Sequence, residues 1–228
     1  EVGPQYVADR PAGQAAVAAG VRRGRSGTRH WQARPRDVDA FDAKADAMGL
    51  LGSLGLVVEQ IQVAAEAPAW YHPGRSGSLK LGPKLVLAHF GELHPAVLAA
   101  MDVKGPLVGF EVYLEALAQS RPKASKAKPP LSASDLPAVE RDFAFLVDRA
   151  VTADQLVRAA KSADKVLIGA VSVFDVYEGT GVVEGQKSVA FSVRLEPKVK
   201  TLTEPEIEAV AAKIVAAVGK ATGGQLRG

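Results

Sequence analysis

The chain carries 228 residues, 47% of them apolar and 23% charged, enough for one large or two ordinary domains with real cores. It has no cysteine, which excludes disulfides, zinc–thiolate sites and thiol catalysis and suits a reducing cytoplasm. Net charge is only +3, and the excess lies in residues 121–228, with 16 Lys+Arg against 13 Asp+Glu; this alone does not argue for nucleic acid.

No run reaches the roughly 18 apolar residues of a membrane span, so no membrane contact is expected. The opening "EVGPQYV" reads as a strand already under way, as in a piece of a longer chain. "VRRGRSGTRHW" brings Arg22, Arg23, Arg25 and Arg29 together without acids, either a solvated loop or a contact for a partner or RNA. "RDVDAFDAKADAMGLLGSLGL" predicts a helix with Asp37 as N-cap and Val38, Phe41, Ala45, Met48 and Leu51 or Gly52 on its apolar stripe. "HPGRSG" reads as a tight turn set by Pro73–Gly74, with Arg75 paired to a neighbour, or else as a subunit contact. "KLVLAHFGELHPAVLAAMDV" reads as a strand, a turn at Gly91 and a short helix, and "LVGFEVYLEAL" as another strand. Residues 1–120 form a mixed α/β module on this reading. Residues 121–136 follow as a basic, proline-rich linker carrying Arg121, Lys123, Lys126 and Lys128, a plain spacer or a tether lying near phosphates.

Residues 137–228 read more cleanly. "VERDFAFLVD" is a strand, and "TADQLVRAAKSA" a helix with Thr152 and Gln155 in capping-box spacing. "KVLIGAVSVFDVYEG" and "QKSVAFSVRLEP" are two further strands. A second helix, capped by Thr203 with Glu206 three on, carries the apolar stripe Ile207, Val210, Ala211, Ile214, Val215 and Val218, and "QLRG" closes as a short strand. The order βαββαβ is the ferredoxin-like arrangement, an α+β fold on a four-stranded antiparallel sheet. Two helices cover one face of such a sheet and leave the other wet or bound. Unbroken alternation puts Phe174, Val176, Val189, Phe191, Val193 and Leu195 under the helices. It turns Asp175, Tyr177, Ser188, Ala190, Ser192 and Arg194 outward. A tyrosine flanked by a carboxylate and a hydroxyl suits an unpaired base, stacked on the ring and read at its edge; an amphipathic sheet with one surface tyrosine is the plain alternative.

In this order, "RDFAFLV", "FDVYEG…EGQKSVAFSV", "KTLTEPEIEAV" and the terminal "GGQLRG" resemble the ferredoxin-fold anticodon-binding domain that ends the β subunit of bacterial phenylalanyl-tRNA synthetases. "RHWQARPRDVDAFDAKAD", "WYHPGRSG" and "GELHP" are similar to the class II synthetase-like, non-catalytic module that precedes it. The resemblance implies a C-terminal fragment of a cytoplasmic heterotetramer of two α and two β subunits. That enzyme joins phenylalanine to tRNA(Phe) with ATP and Mg2+, its chemistry residing in α. The fragment itself then binds without catalysing and holds no cofactor. The resemblance gives Asp175 and Tyr177 a place at the first anticodon base, Ser188 a part in reading anticodon bases, and Arg227 a position near them. Lys126, Lys128, Lys187 and Arg194 are candidates for RNA backbone contacts or the outward sheet face. Gly223–Gly224 stands where some members carry a second aromatic.

Other chemistry fails on spacing. His30, His72, His89 and His94 do not form a metal-binding pattern, since His89 and His94 are five apart with no general-base glutamate. Ser76 lacks a nucleophile elbow, and "GRSGSLK" lacks the end of a phosphate loop. The remaining alternative is a ferredoxin-like regulatory module binding a small amino acid, which fold alone does not separate from an RNA binder.

Overall fold

The computed structural model describes residues 1–32, 34–120 and 134–227. The chain divides into two compact units, Glu1–Ala127 and Lys128–Gly228. The first contains β1 (Val2–Tyr6), β2 (Gln14–Arg23), α1 (Ala40–Ser53), β3 (Gln62–Ala64), β4 (Tyr71–Leu81), β5 (Leu85–Leu93), α2 (Pro95–Ala100), β6 (Leu107–Tyr113) and α3 (Leu114–Ser120). Its six strands form an antiparallel sheet in the order β1-β2-β6-β5-β4-β3. Ala18, Val112, Ala88 and Leu79 lie opposite one another across four strands and are all buried, so this row faces the core with α1 and α3.

Five expectations for this unit need correction. The N-cap of α1 is Asp39, whose carboxylate accepts from the Phe41 and Asp42 N–H groups while Asp42 bonds back; Asp37 instead sits in a bridge opposite Arg25. The buried stripe of α1 is Ala43, Ala47 and Leu51, and Phe41 is 74% exposed. "HPGRSG" is no tight turn but lies within β4, in the irregular stretch between Tyr71 and Ser76, where Pro73 removes no ladder bond. Gly91 is not a turn either; it continues β5 at φ 145°, where an added Cβ would come within 2.6 Å of the Arg75 carbonyl oxygen. Strand β6 ends at Tyr113, and "LEAL" begins α3. As expected, Arg75 pairs with a neighbour, Glu92, at 2.8 Å.

The second unit contains β7 (Val139–Asp148), α4 (Ala153–Ala163), β8 (Ile168–Tyr177), β9 (Gln186–Leu195), α5 (Glu204–Thr222) and β10 (Gln225–Leu226). Its antiparallel sheet runs β10-β7-β9-β8, the ferredoxin-like order. Helix starts follow from local chemistry: Thr152 and Gln155 cap α4 reciprocally, and the Glu206 carboxylate accepts from the Thr203 N–H and hydroxyl. The core stacks Phe145 on Phe191 with ring centroids 5.7 Å apart and planes 4° from parallel. Val189, Phe191, Val193 and Leu195 from β9 meet Leu156 of α4 and Ile207, Val210, Ile214 and Val218 of α5.

Alternation along β8 is broken, which overturns the burial expected for Phe174 and Val176. Val173 lies opposite Phe191 and Asp175 opposite Ala190, so Phe174 is the extra residue of a β-bulge. Before the bulge, Val171 and Val173 pack on the helix side. After it, Val176 lies opposite buried Val189, while Asp175 and Tyr177 face away from the helices. Phe174 is 60% exposed, and Val176, on this edge strand, is 53% exposed.

Candidate nucleic-acid interface

The helix-free face of the second sheet is built from two cross-strand rows. Leu146, Ser188 and Tyr177 form one; Ala144, Ala190 and Asp175 form the next. The last strand brings in the fourth predicted residue: the Arg227 N–H donates to the Ala144 carbonyl oxygen at 2.7 Å, fixing Arg227 beside that second row. Asp175, Tyr177, Ser188 and Arg227 therefore line one open depression of about 470 Å³, completed by Ala144, Ala190 and Thr180. The alanines at its base leave room for a flat group to approach the strands.

Each group offers different chemistry. Tyr177 keeps its ring 40% exposed while its hydroxyl donates to the Thr180 carbonyl oxygen at 3.3 Å. Gly179 makes this possible, since an added Cβ there would lie 2.7 Å from the tyrosine oxygen and 2.9 Å from Cζ. Ser188 is on the outward face yet only 5% exposed, and its hydroxyl has no side-chain hydrogen bond among the described residues. Asp175 and Arg227 also have no ion pair among the described residues. The depression thus combines a carboxylate acceptor, a guanidinium donor, a hydroxyl and a ring face, the set that reads a base edge and stacks on its plane.

The other named cations fall elsewhere. Arg194 is outward but beyond the depression, held by Glu196 at 3.1 Å and Glu140 at 3.8 Å. Lys187 lies opposite buried Val147, hence on the helix side, and donates to the Arg149 carbonyl oxygen at 3.0 Å; its expected place on the outward face is corrected by this pairing. Lys126 and Lys128 lie outside the described residues. Sequence reasoning turned Ala190 outward but missed Gly179, Thr180 and Ala144. The glycines of "EGTGVVEG" mark a turn, but only the fold shows one of them backing the ring.

The histidines have local partners. The Nδ1 atoms of His30, His72 and His94 accept from the N–H groups of Gln32, Gly74 and Ala96 at 3.2, 3.1 and 3.1 Å. His89 Nδ1 lies 2.7 Å from the Ser78 hydroxyl, and burial pushes its pKa down. Among the described residues, no group of three or more potential metal ligands converges, and no helix is long and apolar enough to cross a membrane.

Comparison with known proteins agrees with this geometry. Residues 134–227 match the "Ferredoxin-fold anticodon binding domain" family, and residues 1–114 match the "Phenylalanyl tRNA synthetase beta chain CLM domain" family. Over its whole length the chain is 58% identical to the phenylalanine–tRNA ligase beta subunit of Paramagnetospirillum magneticum, of which it covers 28%. It is 51% identical to that of Rhodospirillum rubrum, covering 28%, and 51% identical to that of Mesorhizobium japonicum, covering 29%. The chain therefore spans under a third of the length of these relatives. It belongs to the phenylalanyl-tRNA synthetase beta chain family.

Proposed function

We propose that the helix-free face of the second unit binds the anticodon loop of tRNA(Phe), with an unpaired base stacked on Tyr177 and its edge met by Asp175 and Ser188. Arg227 serves a neighbouring base or phosphate. The observation that carries this reading is the convergence of four chemically distinct, separately encoded groups on one open depression. The family match to an anticodon-binding domain supports it over the small-ligand alternative. The first unit acts as a scaffold within a phenylalanine–tRNA ligase, whose α subunit is the partner in a heterotetramer of two α and two β subunits. ATP and Mg2+ belong to that whole cytoplasmic enzyme, and this segment supplies recognition rather than chemistry.

Titration of the chain with anticodon stem-loops differing at one base tests the reading. The tRNA(Phe) stem-loop binds best, and Tyr177→Ala weakens it by about 1–3 kcal/mol, the worth of one stacked base. Equal affinity for wild type and Tyr177→Ala removes the stacking claim. Binding of free phenylalanine with no RNA binding transfers the site to the small-ligand reading.

A further inference from the structure

A second basic and aromatic surface lies in the first unit, and the anticodon reading does not use it. Residues 22–36 hold six arginines and no acid. The fold neutralises three of them. Arg22 makes a two-pronged contact with Asp46 at 2.5 and 2.6 Å, Arg36 reaches Asp42 at 2.8 Å, and Arg25 lies 3.4 Å from Asp37. Arg29 and Arg34 have no ion pair among the described residues, and both line an open depression of about 820 Å³ with Arg25, His30 and Trp31. Trp31 is 90% exposed, with His30 tilted against it at a centroid distance of 5.7 Å.

The surface is held in place rather than trailing. Ser26 N–H donates to the Arg36 carbonyl oxygen at 2.9 Å, Val38 N–H to that of Gly24 at 2.9 Å, and Arg25 to that of Pro35 at 2.8 Å. These bonds close a stem and present residues 27–32, 34 and 35 at its tip. Apart from Pro35 and Gly27, the depression is lined by arginine, histidine and tryptophan side chains, with no carboxylate among them. What it offers is an exposed indole together with two guanidinium groups that have no ion pair among the described residues, all lining one depression. A stacked base between two phosphates has the matching shape and charge.

We propose that the depression lined by Arg29, His30, Trp31 and Arg34 is a second RNA-binding site, taking an unpaired segment without sequence preference, one base on Trp31 and phosphates on Arg29 and Arg34. The chain has two tryptophans, so fluorescence reports this site directly. Oligoadenylate titrated into the whole chain quenches the emission, and the quench is lost in Trp31→Phe, where Trp70 remains. The slope of log affinity against log salt becomes shallower by about 1.4 in the Arg29→Gln/Arg34→Gln double variant, two single-strand phosphate contacts at about 0.7 each. Circular dichroism matching wild type establishes that both variants fold. Absence of a quench, its survival in Trp31→Phe, or an unchanged salt slope overturns the proposal. So does a polyglutamate of matched charge that binds as tightly as the oligonucleotide, since the surface then receives an acidic protein segment. None of these readouts depends on Tyr177, so this site and the anticodon site stand or fall separately.

Discussion

Gly179→Ala isolates what the β8–β9 hairpin does for the tyrosine. The new methyl group would stand 2.9 Å from Tyr177 Cζ and 3.3 Å from Cε2. Carbon atoms sit comfortably at about 3.5 Å or more, so the ring must withdraw by roughly 0.6 Å. The 3.3 Å bond from its hydroxyl to the Thr180 carbonyl oxygen is already long, and this withdrawal breaks it. Stability changes little: a lost exposed hydrogen bond of about 0.5–1.5 kcal/mol is offset by about 0.4–1 kcal/mol from stiffening the unfolded chain. RNA binding does change. A ring released from its backstop forfeits part of the roughly 1–3 kcal/mol that one stacked base supplies, so affinity for the anticodon stem-loop falls about fivefold. Fluorescence anisotropy with a labelled stem-loop, run beside urea denaturation, separates the two effects. If Gly179→Ala binds like wild type while Tyr177→Ala binds poorly, the hairpin does not position the ring.

Two further outcomes follow from the packing. In the first unit Trp70 Nε1–H donates to Glu111 Oε1 at 3.2 Å, Oε2 is buried with no hydrogen-bond partner among the described residues, and burial raises the pKa of this carboxyl. With the folded-state value above the unfolded one, the native state holds more protons in the window just above the usual carboxylate range, so stability falls as pH rises through it; denaturation from pH 4 to pH 8 should show this slope reduced in Glu111→Gln, and an unaltered slope refutes it. Deleting Phe174 removes the bulge, and with Tyr177 fixed opposite Ser188 by the hairpin it turns Val171 and Val173 outward, destabilising the second unit by about 2–4 kcal/mol, whereas Phe174→Ala leaves stability near wild type because the ring is already exposed.

The second unit was legible because each of its elements announces itself locally. Thr152 with Gln155 and Thr203 with Glu206 mark two helix starts, and the stripe from Ile207 to Val218 has helical period throughout. The first unit was harder. Helix α1 buries Ala43, Ala47 and Leu51, so its inward face differs little in hydropathy from the rest, and Phe41 pulled the expected stripe off it. Asp37 and Asp39 are equally good caps by residue type; the choice between them is made by the Arg25–Asp37 bridge, a contact that sequence spacing does not encode. Pro73 and Gly74 signal a turn wherever they occur, and only the irregular pairing of β4 with Gly91 lets a strand pass through them.

The bulge at Phe174 shows how residues can be assigned to the face they occupy for an incomplete reason. Alternation from Val171 and Val173, which pack toward the helices, would place Asp175 and Tyr177 on that same side, since all four positions are odd-numbered. One extra residue reverses the parity and delivers the carboxylate and the ring to the open face. The sequence reading reached that face by assigning Phe174 and Val176 to the core, an error in the burial of both that left Asp175 and Tyr177 rightly placed. The arrangement of this open face thus depends on backbone devices: the bulge, the hairpin glycine behind the ring, and the Arg227 N–H bond to Ala144. A relative could keep Asp175, Tyr177, Ser188 and Arg227 and still lose the site by losing any one of these.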